Sequence, residues 1–220
     1  MPSQLPPAPT EAPRLQHADE ALLVLDKPAG LLAVAGRGEA GQVHLAGWVQ
    51  QRWPEALLVH RLDMATSGLM LFARSAAVQA ALGELFAARL VDKQYLALVH
   101  GHPAQDSGDI TLPVGADWPQ RPRQQVDAVH GKPAHTRWQV LERRFTPAGQ
   151  PVARLALQPL TGRTHQLRVH LLALGHAIVG DGLYAPEGIT APRLMLHASE
   201  LRLPHPLTGQ PCHFSSPAPF

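Results

Sequence analysis

VHRLDMATSGLMLFAR, residues 59–74, sets a carboxylate, Asp63, two positions after an arginine and just ahead of a Thr-Ser-Gly turn that opens into an apolar run. An acid held against apolar sequence is costly unless it is paired or used. The run at 69–73 predicts a buried strand, with Thr66, Ser67 and Gly68 forming the turn into it. His60 and Leu62 then hold the segment, while Arg61 and Asp63 are left for chemistry.

Reading outward, ALLVLDKPAGLL (21–32) gives a short strand at 22–25, then Lys-Pro and a turn at Gly30. Residues 42–52 fit a short amphipathic helix, with Val43, Ala46 and Val49 on one face and Pro54 as its stop. On the other side, Ser75 is a natural N-cap for a helix in which Val78, Leu82, Leu85 and Arg89 recur at helical spacing. KQYLALVHG (93–101) alternates as a strand, with Tyr95, Ala97 and Val99 on one face.

Residues 102–127 are polar and proline-containing, and read as a hairpin with long loops whose Arg121 and Arg123 mark a basic surface. Strands are expected at 136–141 and 152–159. LTGRTHQLRVHLLALGH (160–176) is the clearest helix. Leu167, Leu171 and Leu174 share a face, Gly175 stands at the C-terminal cap, Arg163 lies in the first turn, and His165, Arg168 and His170 spread around the polar side. Two last strands follow, in RLMLHASELRL and PCHFSSP. Strands in runs, rather than strict alternation with helices, predict an α+β fold with a mixed, mainly antiparallel sheet and flanking helices. Residues 1–16, rich in proline, are expected to be a disordered leader to a single domain over 17–220.

With 45% hydrophobic and 16% charged residues, the 220-residue chain is a folded protein with ample core. No apolar stretch approaches the ~18 residues of a membrane span, and the first residues lack a signal-peptide pattern, so a soluble cytoplasmic protein is expected. A single cysteine, Cys212, rules out an intrachain disulfide. The net charge is only +2, yet the cations are 16 Arg against 3 Lys. Guanidinium forks suit phosphates and base stacking, although a GC-rich genome produces the same bias.

Three catalytic schemes can be set against Asp63. A triad from Ser67, His60 and Asp63 lacks the Gly-x-Ser-x-Gly elbow and crowds its members into eight positions. A metal site is disfavoured: His165 and His170 point about 140° apart on a helix and to opposite faces of a strand. Paired-carboxylate glycosidic chemistry wants a partner acid, and Asp26, Glu84 and Asp181 are weak candidates. One carboxylate among arginines describes the sequence better, and suits a reaction that breaks and remakes a bond to the same base.

HRLDMATSGLMLFA, with LDKPAGLL before it and KQYLALVHG, LTGRTHQLRVHLLALGHAIVGD and PRLMLHA after it, resembles the RluA family of pseudouridine synthases. The resemblance runs in order from about Leu22 to Phe214. Length, the expected lack of an S4-like module, and the stretch ADWPQRPRQ are most similar to the small members that modify both a 23S rRNA loop and a tRNA anticodon loop. It implies the pseudouridine synthase fold and an isomerisation needing no cofactor and no metal. The implied partners are 23S rRNA and tRNA, met by a monomer without an obligatory protein partner.

It also implies roles. Asp63 is the essential residue, attacking C1′ of the sugar or removing a 2′ proton. Arg163 is its ion-pair partner, and Tyr95 stacks beneath the uracil and assists proton removal from C5. Leu194 and Leu196 line the pocket. Arg61 fills the space left by a uridine flipped from its stack, and Arg121, Arg123, Lys132 and Arg168 are phosphate contacts. Other readings stay open: a relative acting on rRNA or tRNA alone, a hydrolase releasing uracil, or a non-catalytic RNA-binding or RNA-folding protein.

Overall fold

The computed structural model describes residues 11–36, 43–185 and 191–220. The first ten residues of the expected leader lie outside the described residues. The elements in chain order are β1 (Arg14–Ala18), β2 (Leu22–Lys27), α1 (Leu45–Gln50), β3 (Leu57–Leu58), β4 (Ser67–Ala73), α2 (Ala76–Ala87) and β5 (Asp92–His100). There follow β6 (Ser107–Ile110), β7 (Val114–Ala116), β8 (Gln124–Val126), β9 (Thr136–Phe145), β10 (Pro151–Pro159), α3 (Gln166–Ala173), β11 (Leu196–Pro204) and β12 (Pro211–Ser215). Within the described residues the chain forms two compact units: the described part of 1–93 with Ala198–Pro219, and the described part of Gln94–His197 with Phe220.

In the first unit the strand order is β1-β2-β4-β11, with β3 on β4 and β12 on β11. β2 and β4 are buried at every position: the apolar runs 22–25 and 69–73 predict this, and Asp26, Lys27 and Ser67 are buried with them. They pair antiparallel, Val24 opposite Leu71 and Asp26 opposite Leu69. β1 pairs with β2 from Arg14 opposite Asp26 onward. β1 therefore takes in Arg14, Leu15 and Gln16, three residues of the stretch expected as leader. α2 begins at Ser75, whose hydroxyl accepts from Val78 N–H. It lays Val78 and Leu82 into a core with Leu22, Val24, Leu69 and Leu71. Each fully buried leucine there contributes roughly 2 kcal/mol.

Two local expectations change. α1 is capped by His44, whose Nδ1 accepts from Gly47 N–H, and it buries Leu45, Ala46 and Val49 while Val43 is exposed. Ser67 and Gly68 belong to β4, and the turn is Met64–Ala65. Gly68 is needed for a close approach: with φ of +114°, a Cβ there would lie 2.3 Å from the Ala198 carbonyl oxygen.

The second unit is antiparallel in the order β5-β10-β9-β6, placing Tyr95 opposite Leu157, Leu157 opposite Trp138, and Trp138 opposite Gly108. Residues 102–127 are not one hairpin: β6 joins the sheet through β9, while β7 and β8 form a separate ribbon. α3 ends as expected, with Gly175 at φ +87°. The chain is thus an α+β protein whose sheets are mainly antiparallel.

Candidate active site

Asp63 is half-buried on a turn fixed through its backbone. Its carbonyl accepts from Thr66 N–H at 3.1 Å, and the next carbonyl, of Met64, accepts from Gly30 N–H at 2.9 Å and from Lys27 Nζ at 3.1 Å. Lys27 is fully buried, and its ammonium also donates to the carbonyls of Pro28 and Leu31. A buried ammonium is tolerable only with such partners, so the cation welds the Gly30 loop to the turn carrying Asp63. Sequence reasoning missed this role, although a lysine at the end of a strand that opens on four apolar residues was its signal.

The strand side of the turn is held by His60, whose Nε2 accepts from Leu71 N–H at 3.0 Å while its ring packs 5.2 Å from Phe86. Burial, assisted by the Lys93 charge, pushes the imidazole down to about 4, so it stays neutral and able to accept. Leu62 is buried, and Arg61 between them is exposed.

In the second unit Tyr95 is half-buried on β5, and Leu194 and Leu196 are each 3% exposed. Arg163 is exposed and precedes α3, two residues ahead of the N-cap, rather than lying in its first turn. Its Nε donates to the Pro133 carbonyl, and its backbone N–H to Gln166 Oε1 at 3.0 Å. Gln166 also accepts from the Thr161 hydroxyl, and donates to His135 C=O and to the Thr136 hydroxyl oxygen. Thr136 in turn donates to His170 Nδ1, whose Nε2–H reaches Leu112 C=O at 2.8 Å. Burial holds His170 below the usual histidine range, as a neutral ring in this chain of bonds requires.

His165, the N-cap of α3, adopts the left-handed conformation, φ 53° and ψ 17°. Its Nδ1 accepts from the Tyr184 hydroxyl at 2.8 Å, and that oxygen accepts from Gln124 N–H at 2.7 Å. Tyr184 is 5% exposed, and its phenol is pushed up by burial. The hydroxyl thereby joins the start of β8 to the start of α3.

Arg168 corrects the sequence reading. It is not a surface phosphate contact: it is buried, with Nε 2.8 Å and Nη2 2.7 Å from the two carboxylate oxygens of buried Asp181. His170 likewise lies inside. The polar side of α3 faces protein, where a bidentate pair neutralises both charges. Arg121 and Lys132 are exposed and Arg123 half-buried, all three beside or on the β7–β8 ribbon. No helix of the described residues is long and apolar enough to cross a membrane.

The turn bearing Asp63 and the segment bearing Arg163 are thus each fixed by hydrogen bonds, through Lys27 and through Gln166. The family model described as RNA pseudouridylate synthase matches residues 21–173, and the chain belongs to that family of RNA uridine isomerases. It is 48% identical over 206 residues to the dual-specificity RNA pseudouridine synthase RluA of Salmonella typhi, covering 93% of this chain and 92% of that protein. The enzyme of the same description from Escherichia coli K12 is 46% identical over the same coverage. Among solved structures, human RNA pseudouridylate synthase domain containing 1 superposes with a TM-score of 0.82 at 32% identity, covering 97% of this chain and 86% of that one.

Proposed function

We propose that the chain converts a uridine to pseudouridine in both a 23S rRNA loop and a tRNA anticodon loop, as a cytoplasmic monomer with no cofactor and no obligatory protein partner. The bond from C1′ to N1 breaks and one from C1′ to C5 forms. The C5 proton leaves, N1 gains one, and nothing is oxidised. Asp63 acts on the sugar, either at C1′ or at the 2′ proton. Tyr95 supports the turning base, Arg163 pairs with the carboxylate, Arg61 replaces the flipped uridine in its stack, and Leu194 and Leu196 wall the pocket. Arg121, Arg123 and Lys132 position the phosphates.

The observation that carries the reading is the rigid turn of Asp63, its two carbonyls tied by Thr66, Gly30 and Lys27. A reacting group must be held in place before substrate arrives, and buried hydrogen bonds to the backbone do so. Asp63→Asn keeps the side-chain shape and removes the charge. It is expected to bind transcripts of an anticodon stem-loop and of an rRNA stem-loop, yet to form no pseudouridine in either. Residual conversion by that variant would remove Asp63 from catalysis, and conversion of one wild-type substrate alone would remove the dual specificity.

A further inference from the structure

The β7–β8 ribbon ends in a loop, residues 117–123, that is ordered by its own bonds. Asp117 N–H donates to Arg123 C=O, Gln120 N–H to Asp117 C=O, and Arg123 N–H to Gln120 C=O at 2.9 Å. Arg123 Nη1 reaches Gln120 Oε1 at 3.0 Å, and the ribbon end next to the loop is tied down by Gln124 N–H donating to the Tyr184 hydroxyl. On this fixed loop Trp118 is 69% exposed, although the Arg121 guanidinium covers one face at 3.6 Å from the ring centroid. A tryptophan left largely in water forgoes a large burial free energy. An indole backed by a cation offers a flat, pre-set surface to a second π-system.

We infer that Trp118 is a stacking platform for an unpaired nucleobase of the substrate RNA other than the target uridine, with Arg121 bracing the indole and meeting that nucleotide's phosphate. The inference rests on the RNA-modifying reading above and assigns it a specificity element. Charge selects a nucleic-acid occupant over a protein one. Arg121 lies on the indole and Arg123 and Lys132 stand on the same ribbon against Asp117 and Asp127, and every base presents a π-face that stacks without a sequence requirement. Bases splayed from a compact loop are the form in which proteins read single-stranded RNA.

The test uses the full chain and an anticodon stem-loop carrying 2-aminopurine at one unpaired position at a time. With wild-type protein and with Trp118→Phe, one position other than the target should change its fluorescence on binding. With Trp118→Ala that change should vanish, affinity should fall roughly 5- to 150-fold, and the loss should appear in KM. Matching thermal melts of the three proteins keep the comparison free of misfolding. Equal affinity of wild type and Trp118→Ala, with every probe response intact, overturns the platform. So does loss of a concentration-dependent dimer in Trp118→Ala with RNA binding unaltered, since the occupant is then a second copy. Wild-type protein that stacks the probe but forms no pseudouridine would support the platform while defeating the catalytic reading.

Discussion

His60 accepts a hydrogen bond that a protonated ring could not accept, so the turn bearing Asp63 depends on a neutral imidazole. The unfolded chain protonates this histidine near 6.5, the native one near 4. Between those values the unfolded state binds more protons, so stability is full above about pH 6.5 and is lost as pH falls toward 4, by at most about 3 kcal/mol from this residue. Urea midpoints at pH 7.5 and pH 5 should differ less for His60→Gln than for wild type. An undiminished difference would exclude His60 as the source. Asp63 was legible because its neighbours in sequence are informative. Lys27 was not, because its meaning lies in carbonyls from residues 28, 31 and 64 that converge only in the fold.

At the scale of elements, α3 is positioned by polar contacts on the side that sequence patterning assigns to solvent. Helical periodicity found Leu167 and Leu171, which are buried. It could not find that Arg168 meets Asp181 or that His170 meets Thr136, because periodicity marks apolar faces and says nothing about charges cancelled by a distant partner. Asp181→Asn should therefore cost roughly 3–5 kcal/mol in denaturant unfolding, since it removes the carboxylate charge that faces a buried guanidinium. The double replacement Arg168→Leu with Asp181→Leu should cost less than the two single replacements summed. Strict additivity would mean that the pair is not coupled. The misplaced turn at Ser67–Gly68 has a similar cause: glycine was read as a reversal of direction, whereas it serves the backbone of Ala198 across the sheet.

Over the whole molecule, charge is divided unevenly. The second unit carries ten arginine and lysine residues against seven acidic ones, and the first carries nine against ten. RNA affinity should accordingly fall with salt, and replacing Arg123 and Lys132 by alanine should flatten the plot of log Kd against log salt by roughly 0.7 for each phosphate that is no longer neutralised. An unchanged slope would mean that other cations meet the phosphates. Runs of strands gave away the α+β class, but not that the first unit is assembled from two separated stretches, because pairing across such distances leaves no local pattern. Asp26, for instance, accepts from the Ser216 hydroxyl at 2.5 Å across 190 residues. During synthesis on a ribosome, residues 94–197 leave the exit tunnel ahead of 198–219, which complete the first unit. The unit that comes second in sequence can thus close first, while the apolar strands around the Asp63 turn wait for residues 198–219.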